Sequence, residues 1–184
     1  MSKCITIHQP LAWGVVQGWK KIENRGKPTK YRGPLWIHAG KSRDSLAGTT
    51  PEEWREDTED GSFLPGCPEF KDLVFGAILG VVDLVDCVHE DDTRVPGLDT
   101  AHTGGPWCYV LENARPLKNP ILNVTGQLGI WNYDLPEIPQ AMAKGLLLPT
   151  VPYRGWSTRD AIWYAGGKKN KGPVDRKVGD NVRK

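Results

Sequence analysis

The most apolar stretch of the chain, residues 73–88 with the sequence LVFGAILGVVDLVDCV, limits the possible folds more than any other feature. It is rich in valine, which favours extended structure, and it contains Gly76 and Gly80, which disfavour a helix. Internal glycines in a strand mark bends or close approaches between backbones. The stretch therefore predicts a long, bent strand buried on both faces, as in a small β-barrel.

The first quarter of the chain predicts a strand, a helix and two further extended segments. Residues 4–7 predict a strand, and an apolar stripe then predicts a short helix that begins at Pro10 and ends at Gly18. The segment after Gly18 reads as extended. Residues 28–42 predict a turn and a strand, with Leu35 and Ile37 on one face and Trp36 and His38 on the other.

The second half of the chain adds two more predicted strands, at residues 107–117 and 127–134. The 21 glycines and 15 prolines fit short elements joined by many turns better than a helix bundle. Together, the predicted strands and helix indicate an α+β fold, a small β-barrel flanked by short helices. We expect one domain over residues 1–136 and a C-terminal extension over residues 137–184, because the pattern loosens after residue 136.

Cysteine spacing and hydropathy restrict the cofactors and the compartment. The four cysteines are scattered without a C-x-x-C pair, and no histidines stand at metal-ligand spacing, so we expect no metal and no cofactor. There is no signal peptide and no apolar run long enough to span a bilayer. These observations predict a cytoplasmic protein that does not associate with membranes; they leave its oligomeric state open.

Charge is distributed unevenly along the chain. The last 17 residues, 168–184, hold seven Lys or Arg and two Asp, a net charge of +5. The other residues hold 17 basic and 20 acidic groups, a net charge of −3. Within them, residues 52–60 carry six acidic groups against one arginine and would repel nucleic acid. We expect residues 168–184 to form a disordered basic arm with weak attraction for phosphates.

The stretch GWKKIENR, residues 18–25, concentrates the chemistry of the chain. On a strand, Glu23 and Arg25 would lie on the same face, where they could pair with each other or share a ligand. Lys20 stands at the corner between the helix and the strand. The stretch could be a solvated charge run, an ion pair on a barrel rim, or a set of ligand groups.

The same residues carry a resemblance to a known family. The pattern G-x-K-x-x-E-x-R, formed here by Gly18, Lys20, Glu23 and Arg25, resembles the signature of the ASCH domain (activating-signal-cointegrator homology), a member of the PUA-like superfamily. Further blocks resemble a bacterial and phage branch of that family in the same order: IHQPLAW, ENRGKPTKYRGPLWIHAGK, GAILGVVDLVDCV, GGPWCYVLENARPL and GQLGIWNYD.

The resemblance implies a PUA-like β-barrel whose cleft, beside the first helix, binds RNA or a nucleotide, including a modified one. Some similar proteins hydrolyse the amide of N4-acetylcytidine, and others are reported to cleave RNA. A hydrolase or ribonuclease that uses Lys20 and Glu23 is therefore the alternative hypothesis. The amidohydrolase branch has a threonine at the position of Glu23, so this sequence lacks the nucleophile of that chemistry at its usual place.

The candidate site follows from the signature and the residues after it. As catalytic groups we consider Lys20 and Glu23, and the candidate contacts to RNA or a nucleotide are Lys20, Glu23, Asn24, Arg25, Lys30, Tyr31, Arg32, His38 and Trp107. Each has a structural alternative: Asn24 a turn cap, Lys30, Tyr31 and Arg32 a solvated turn, His38 a buried structural group, and Trp107 a core side chain. We expect Trp107 at the rim, because GGP before it gives the chain freedom to present it.

Overall fold

The protein is described by a computed structural model over residues 1–43, 66–92 and 106–152. Six strands lie in these ranges: β1 Ser2–Ile7, β2 Ile22–Arg25, β3 Gly33–Ala39, β4 Ala77–His89, β5 Trp107–Ile121 and β6 Ile130–Tyr133. Two short α-helices accompany them, α1 Leu11–Val16 and α2 Ile138–Ala143, with a 3-10 turn at Phe70–Asp72. The predicted acidic stretch 52–60 and the predicted basic arm 168–184 lie outside the described residues.

The strands form one mixed sheet in the order β2-β5-β4-β3-β1-β6. Strands β1 and β3 are parallel, and the other neighbours are antiparallel. The α+β class with short helices is confirmed. In the part of the chain that the structure describes, the edge strands β2 and β6 do not pair with each other, so the sheet is barrel-like without being closed.

The predicted long strand is β4, although it begins at Ala77 and residues 73–76 precede it, and register shifts interrupt its pairing with β5. Its pairing with β5 shifts at three places, between Ile78 and Gly80, between Val81 and Asp83, and between Leu84 and Asp86. Such bulges bend a strand and increase its twist. A Cβ at Gly80 would lie 2.6 Å from the carbonyl oxygen of Arg115, so only glycine allows this close approach of the two backbones.

Both faces of the sheet are covered by apolar side chains. One face contains Ile5, Leu35, Ile37, Val82, Tyr109 and Leu111 and packs against α1, which contributes Val15 to the same core cluster. The other contains Cys4, Trp36, Val81, Leu117, Trp131 and the buried Ala141 of α2. The predicted alternation of β3 is confirmed, because Leu35 and Ile37 face α1 while Trp36 lies on the opposite face.

The C-terminal segment after β6 packs onto the sheet as far as it is described. Three backbone hydrogen bonds tie it to β5: Lys118 N to Leu146 O, Leu148 N to Pro116 O and Val151 N to Ala114 O. Residues 146–151 therefore lie along the part of β5 that follows its pairing with β2. The domain boundary predicted at residue 136 stays a prediction.

Candidate functional site

The signature begins where α1 ends. Gly18 adopts the left-handed conformation, with φ of +74°, as predicted for the residue that stops the helix. The amides of Trp19 and Lys20 then both donate to the carbonyl of Gly14. This turn places the Lys20 side chain beside the start of β2, inside the fold rather than in solvent.

Lys20, Glu23 and Arg25 form a connected cluster that we call the charged triad. Lys20 Nζ donates to Glu23 Oε2 at 2.7 Å and also to the carbonyl of Ile22. Arg25 Nη2 lies 3.0 Å from Glu23 Oε1, so each carboxylate oxygen has its own cation. Of the alternatives left open by the sequence, Glu23 and Arg25 do pair with each other, and the residues are not a solvated charge run.

The ion pairs of the charged triad are largely buried. The side chains of Lys20 and Glu23 are only 5% and 10% exposed, whereas Arg25 is 24% exposed. Burial alone would raise the pKa of Glu23, but the charges of Lys20 and Arg25 and the Lys20 hydrogen bond outweigh it. The pKa of Glu23 therefore lies below its ordinary value, and the carboxylate stays ionised.

Arg25 also connects two distant strands of the sheet. Its Nη2 donates to the carbonyl oxygen of Thr6 at 2.6 Å. Arg25 is on the edge strand β2, whereas Thr6 is on β1, four strands away in the sheet order. The pairing of β1 with β6 ends at Ile5, so this carbonyl lies beyond that ladder. The guanidinium thus bridges the opening of the barrel-like sheet.

Two cross-strand rows run from β2 over β5 to β4 on the face that carries the triad. Glu23, Tyr109 and Cys87 are directly opposite one another and form what we call the inner row. Arg25, Trp107 and His89 form the next row toward the strand ends, the rim row. Glu23 and Tyr109 are buried, while all three members of the rim row are partly exposed.

The polar cluster after the signature lies around other partners. Arg32 pairs with Asp86, Nη2 to Oδ1 at 2.7 Å, and both side chains are exposed. The Tyr31 hydroxyl donates to the carbonyl of Pro34, and Lys30 is exposed. Asn24 points away from the triad, where its Oδ1 accepts from the thiol of Cys108. None of the contacts described above for these residues joins them to Glu23.

His38 is buried on the opposite face of the sheet from the triad. Its Nε2 lies 3.1 Å from the carbonyl oxygen of Val124, and its ring packs edge-on against Trp131. Burial lowers the pKa of His38, the hydrogen bond to Val124 opposes this, and the charge of Lys41 adds to the lowering. The structure therefore does not bring His38 together with the charged triad.

Two residues of the site were missed by the sequence reasoning. Tyr109 lies directly opposite Glu23, and its hydroxyl donates to the carbonyl of Lys27 at 3.0 Å, which ties the segment after β2 to β5. Thr6 contributes only its backbone carbonyl. The alternation of β5 could have indicated Tyr109, which stands two positions from Trp107, but a backbone acceptor leaves no sequence signal.

A small pocket lies beside α1, and Gly18, Lys20, Lys21, Leu111 and Val151 contribute to its lining. Its lining includes Lys20 but neither Glu23 nor Arg25. Across residues 1–43, 66–92 and 106–152, no group of His, Cys, Asp and Glu is placed to hold a metal ion. In the same ranges no helix has the length and apolar character needed to cross a membrane.

Comparison with known proteins gives a family match over most of the described chain. The family model described as the ASCH domain matches residues 5–118. Activating signal cointegrator 1 from Homo sapiens is 32% identical over 153 residues, and so is its counterpart from Mus musculus. Each alignment covers 78% of this chain but 24% of the relative, so the chain spans about a quarter of the length of these proteins.

One solved structure matched by this chain is a crystal structure of ASCH from Zymomonas mobilis. It is 14% identical, with a TM-score of 0.43, and the match covers 80% of this chain and 96% of that chain.

Proposed function

This chain belongs to the ASCH domain family, and we propose that it binds RNA or a nucleotide, including a modified one, at the charged triad and the rim row beside it. The observation that carries the proposal is the position of Arg25. It is held by Glu23 and by the carbonyl of Thr6, yet it remains partly exposed next to Trp107.

The charges of the triad favour an anionic ligand. Two cations share one carboxylate, so the cluster has a net charge of +1. Both contacts of Arg25 use Nη2, whereas its Nε is buried and has no hydrogen-bond partner among the described residues. The Arg25 side chain is nevertheless 24% exposed, and a phosphate oxygen at the exposed part of the guanidinium would accept a charge-assisted hydrogen bond.

The ammonium of Lys20 adds positive charge to the site that would hold this ligand. Its ammonium already donates to Glu23 and to the carbonyl of Ile22, so it is a positioned charge that keeps the carboxylate in place. Lys30 and Arg32, which are exposed on the segment after β2, would supply more distant attraction for the phosphate backbone.

The proposal is tested with Arg25→Lys, which keeps the charge but loses the planar fork. We expect its affinity for a short, mixed-sequence single-stranded RNA to fall roughly tenfold, as for the loss of a charged hydrogen bond. Fluorescence anisotropy measures the affinity, and a thermal melt of each variant confirms folding. Lys118→Ala is the control, because it removes an exposed charge at the far end of β5. Equal affinity of Arg25→Lys and wild type would refute the role of Arg25.

A hydrolase acting on acylated nucleosides, or a ribonuclease, is the second candidate. The observation in its favour is the buried contact of 2.7 Å between Lys20 Nζ and Glu23 Oε2, because lysine and carboxylate side chains held at a site are groups that general acid–base catalysis uses. Incubation with N4-acetylcytidine and with a bulk RNA pool, followed by nucleoside mass spectrometry, tests it. A product formed by wild type and lost in Lys20→Met would support catalysis, whereas no product with either substrate would refute it for those substrates.

A further inference from the structure

The rim row aligns a cation and two aromatic rings across three neighbouring strands. Arg25 on β2 is directly opposite Trp107 on β5, and Trp107 is directly opposite His89 on β4. Side chains opposite each other in an antiparallel pair point to the same face, with Cβ atoms about 4.5–5.5 Å apart. The row is therefore a continuous strip of side chains and not three separate residues.

Exposure rises from the inner row to the rim row. In the inner row, Glu23 is 8% and Tyr109 is 5% exposed. In the rim row, the side chains of Arg25 and His89 are 24% and 41% exposed, and Trp107 is partly exposed. The strip therefore forms the outer border of the charged triad, where a ligand held by the triad would continue toward solvent.

The indole of Trp107 is held in a set orientation. The His89 ring meets it edge to face, with centroids 5.1 Å apart and planes at 85°. The Nδ1 atom of His89 lies 3.4 Å from the amide nitrogen of Asp91 and 3.2 Å from its Oδ2. The amide of Glu90 donates to the carbonyl of Pro106, which ties the ends of β4 and β5 together. A platform fixed in advance loses little conformational freedom when a ligand stacks on it.

We infer that the rim row is a nucleobase-stacking subsite for single-stranded RNA, adjacent to the charged triad, with which it shares Arg25. Trp107 is the platform for an unpaired base, Arg25 meets the adjoining phosphate, and His89 is a positioning residue for the indole. Trp107 and Glu23 are diagonal neighbours, about 7–8 Å apart. This distance is about twice the 3.4 Å spacing of nucleotides along one strand of a duplex. One nucleotide step of an unstacked RNA strand can therefore span it.

The inference rests on the proposed function and makes it more specific: the ligand is an RNA strand of at least two nucleotides, not a single nucleoside. Base–aromatic stacking tolerates any base, but its strength depends on the size of the base, whereas phosphate contacts do not depend on the base. Replacing Trp107 should therefore change the preference among bases and leave the salt dependence of binding unchanged.

The test compares wild type with Trp107→Leu and Trp107→Phe on three ligands of equal length: oligo(A), oligo(U) and an abasic ribose-phosphate chain. Wild type should prefer oligo(A) to the abasic chain by about tenfold or more, and Trp107→Leu should abolish that preference. Trp107→Phe should keep most of it. Affinity for the abasic chain, and its slope against salt, should be the same in all three proteins.

His89→Ala provides a variant that leaves the platform in place, and His89→Phe restores the ring contact. We expect the preference for oligo(A) to fall about threefold in His89→Ala and to return in His89→Phe, as for an aromatic pair. This series tests the contact between the His89 ring and the indole even if Trp107→Leu does not fold.

Different results would refute the proposed function and the stacking subsite. If wild type binds none of the three ligands, the proposed function and the subsite both fall. If wild type binds all three without preferring oligo(A), or if that preference survives in Trp107→Leu, the subsite falls and the proposed function stands. If Trp107→Leu does not fold and the preference is unchanged in His89→Ala, the positioning role of His89 falls.

Discussion

Glu23 is the residue that holds the candidate site together, because its two carboxylate oxygens bond to Lys20 and Arg25 separately. Removing one partner of a buried ion pair leaves the others without compensation, which is far more costly than the pair is favourable. We therefore predict that Glu23→Gln lowers the free energy of unfolding by about 3 kcal/mol, measured by urea denaturation.

Asp86→Asn is the matched control for that substitution. Asp86 pairs with Arg32, but the two side chains are 51% and 38% exposed. An exposed ion pair contributes at most about 1 kcal/mol, so the same chemical change should alter stability little. A loss in Glu23→Gln no larger than in Asp86→Asn would contradict the burial of the triad.

His38 predicts a dependence of stability on pH. Its pKa is lower in the folded protein than its ordinary value of 6.5, since burial disfavours the imidazolium and the charge of Lys41 adds to this. The unfolded chain therefore takes up a proton that the folded chain resists. The contribution is complete above about pH 6.5 and is lost as the pH falls from there toward the folded pKa.

The measurement is the free energy of unfolding between pH 7.5 and 5 for wild type and His38→Gln. Wild type should lose stability over this range, and His38→Gln should show a shallower slope. Parallel slopes for the two proteins would show that His38 is not the titrating group.

At the residue scale, alternation along a strand was enough to predict that Glu23 and Arg25 share a face and that His38 lies opposite Leu35 and Ile37. The acceptor at Thr6 could not be predicted, because it is a backbone carbonyl of a distant strand. Sequence reasoning could not exclude His38 from the candidate site either. The strand pattern of β3 does not indicate which face of the sheet the triad occupies.

At the scale of elements, the close approach of the β4 and β5 backbones at Gly80 permits a specific test. A Cβ there would meet the carbonyl of Arg115 at 2.6 Å and the Cα of Pro116 at 2.9 Å, and neither backbone atom can move easily. We predict that Gly80→Ala destabilises the protein by about 2 kcal/mol or more. Thermal unfolding monitored by circular dichroism measures the change.

Gly26→Ala is the corresponding control. A Cβ at Gly26 meets no atom within 4 Å, and its backbone does not need the left-handed region. Alanine there should be neutral or slightly stabilising, because it restricts the unfolded chain. If Gly80→Ala behaved like Gly26→Ala, the close approach of β4 and β5 would be refuted.

The long strand β4 could be predicted because its valine content favours extended structure and Gly80 disfavours a helix, and the first helix because its apolar stripe ends at Gly18. The bulges of β4 could be predicted only as bends, since the register with β5 depends on which residues meet across the two strands. The packing of residues 146–151 along β5 could not be predicted. It uses backbone hydrogen bonds, and its side chains show no regular period.

At the scale of the whole molecule, the segment over residues 137–152 contributes to the fold. It buries Ala141 in the second core cluster and supplies the three backbone hydrogen bonds to β5. We predict that a chain ending at residue 136 melts about 5–10 °C below one ending at residue 152, as for a loss of roughly 2–3 kcal/mol. Differential scanning calorimetry of the two chains makes the comparison.

Equal melting temperatures for these two chains would instead place the end of the folded domain at residue 136. That outcome would agree with the boundary predicted from composition, and it would mean that the contacts of α2 contribute no net stability.

The central claim is that RNA contacts the charged triad and the rim row, and photocrosslinking tests it most directly. The whole chain is irradiated with single-stranded RNA that contains 4-thiouridine, and crosslinked peptides are identified by mass spectrometry. We predict crosslinks in the peptides that contain residues 18–32 and Trp107, at a salt concentration that screens weak phosphate contacts. Crosslinks confined to residues 168–184 would contradict the claim, because binding would then depend on the basic arm and not on the site built around Glu23.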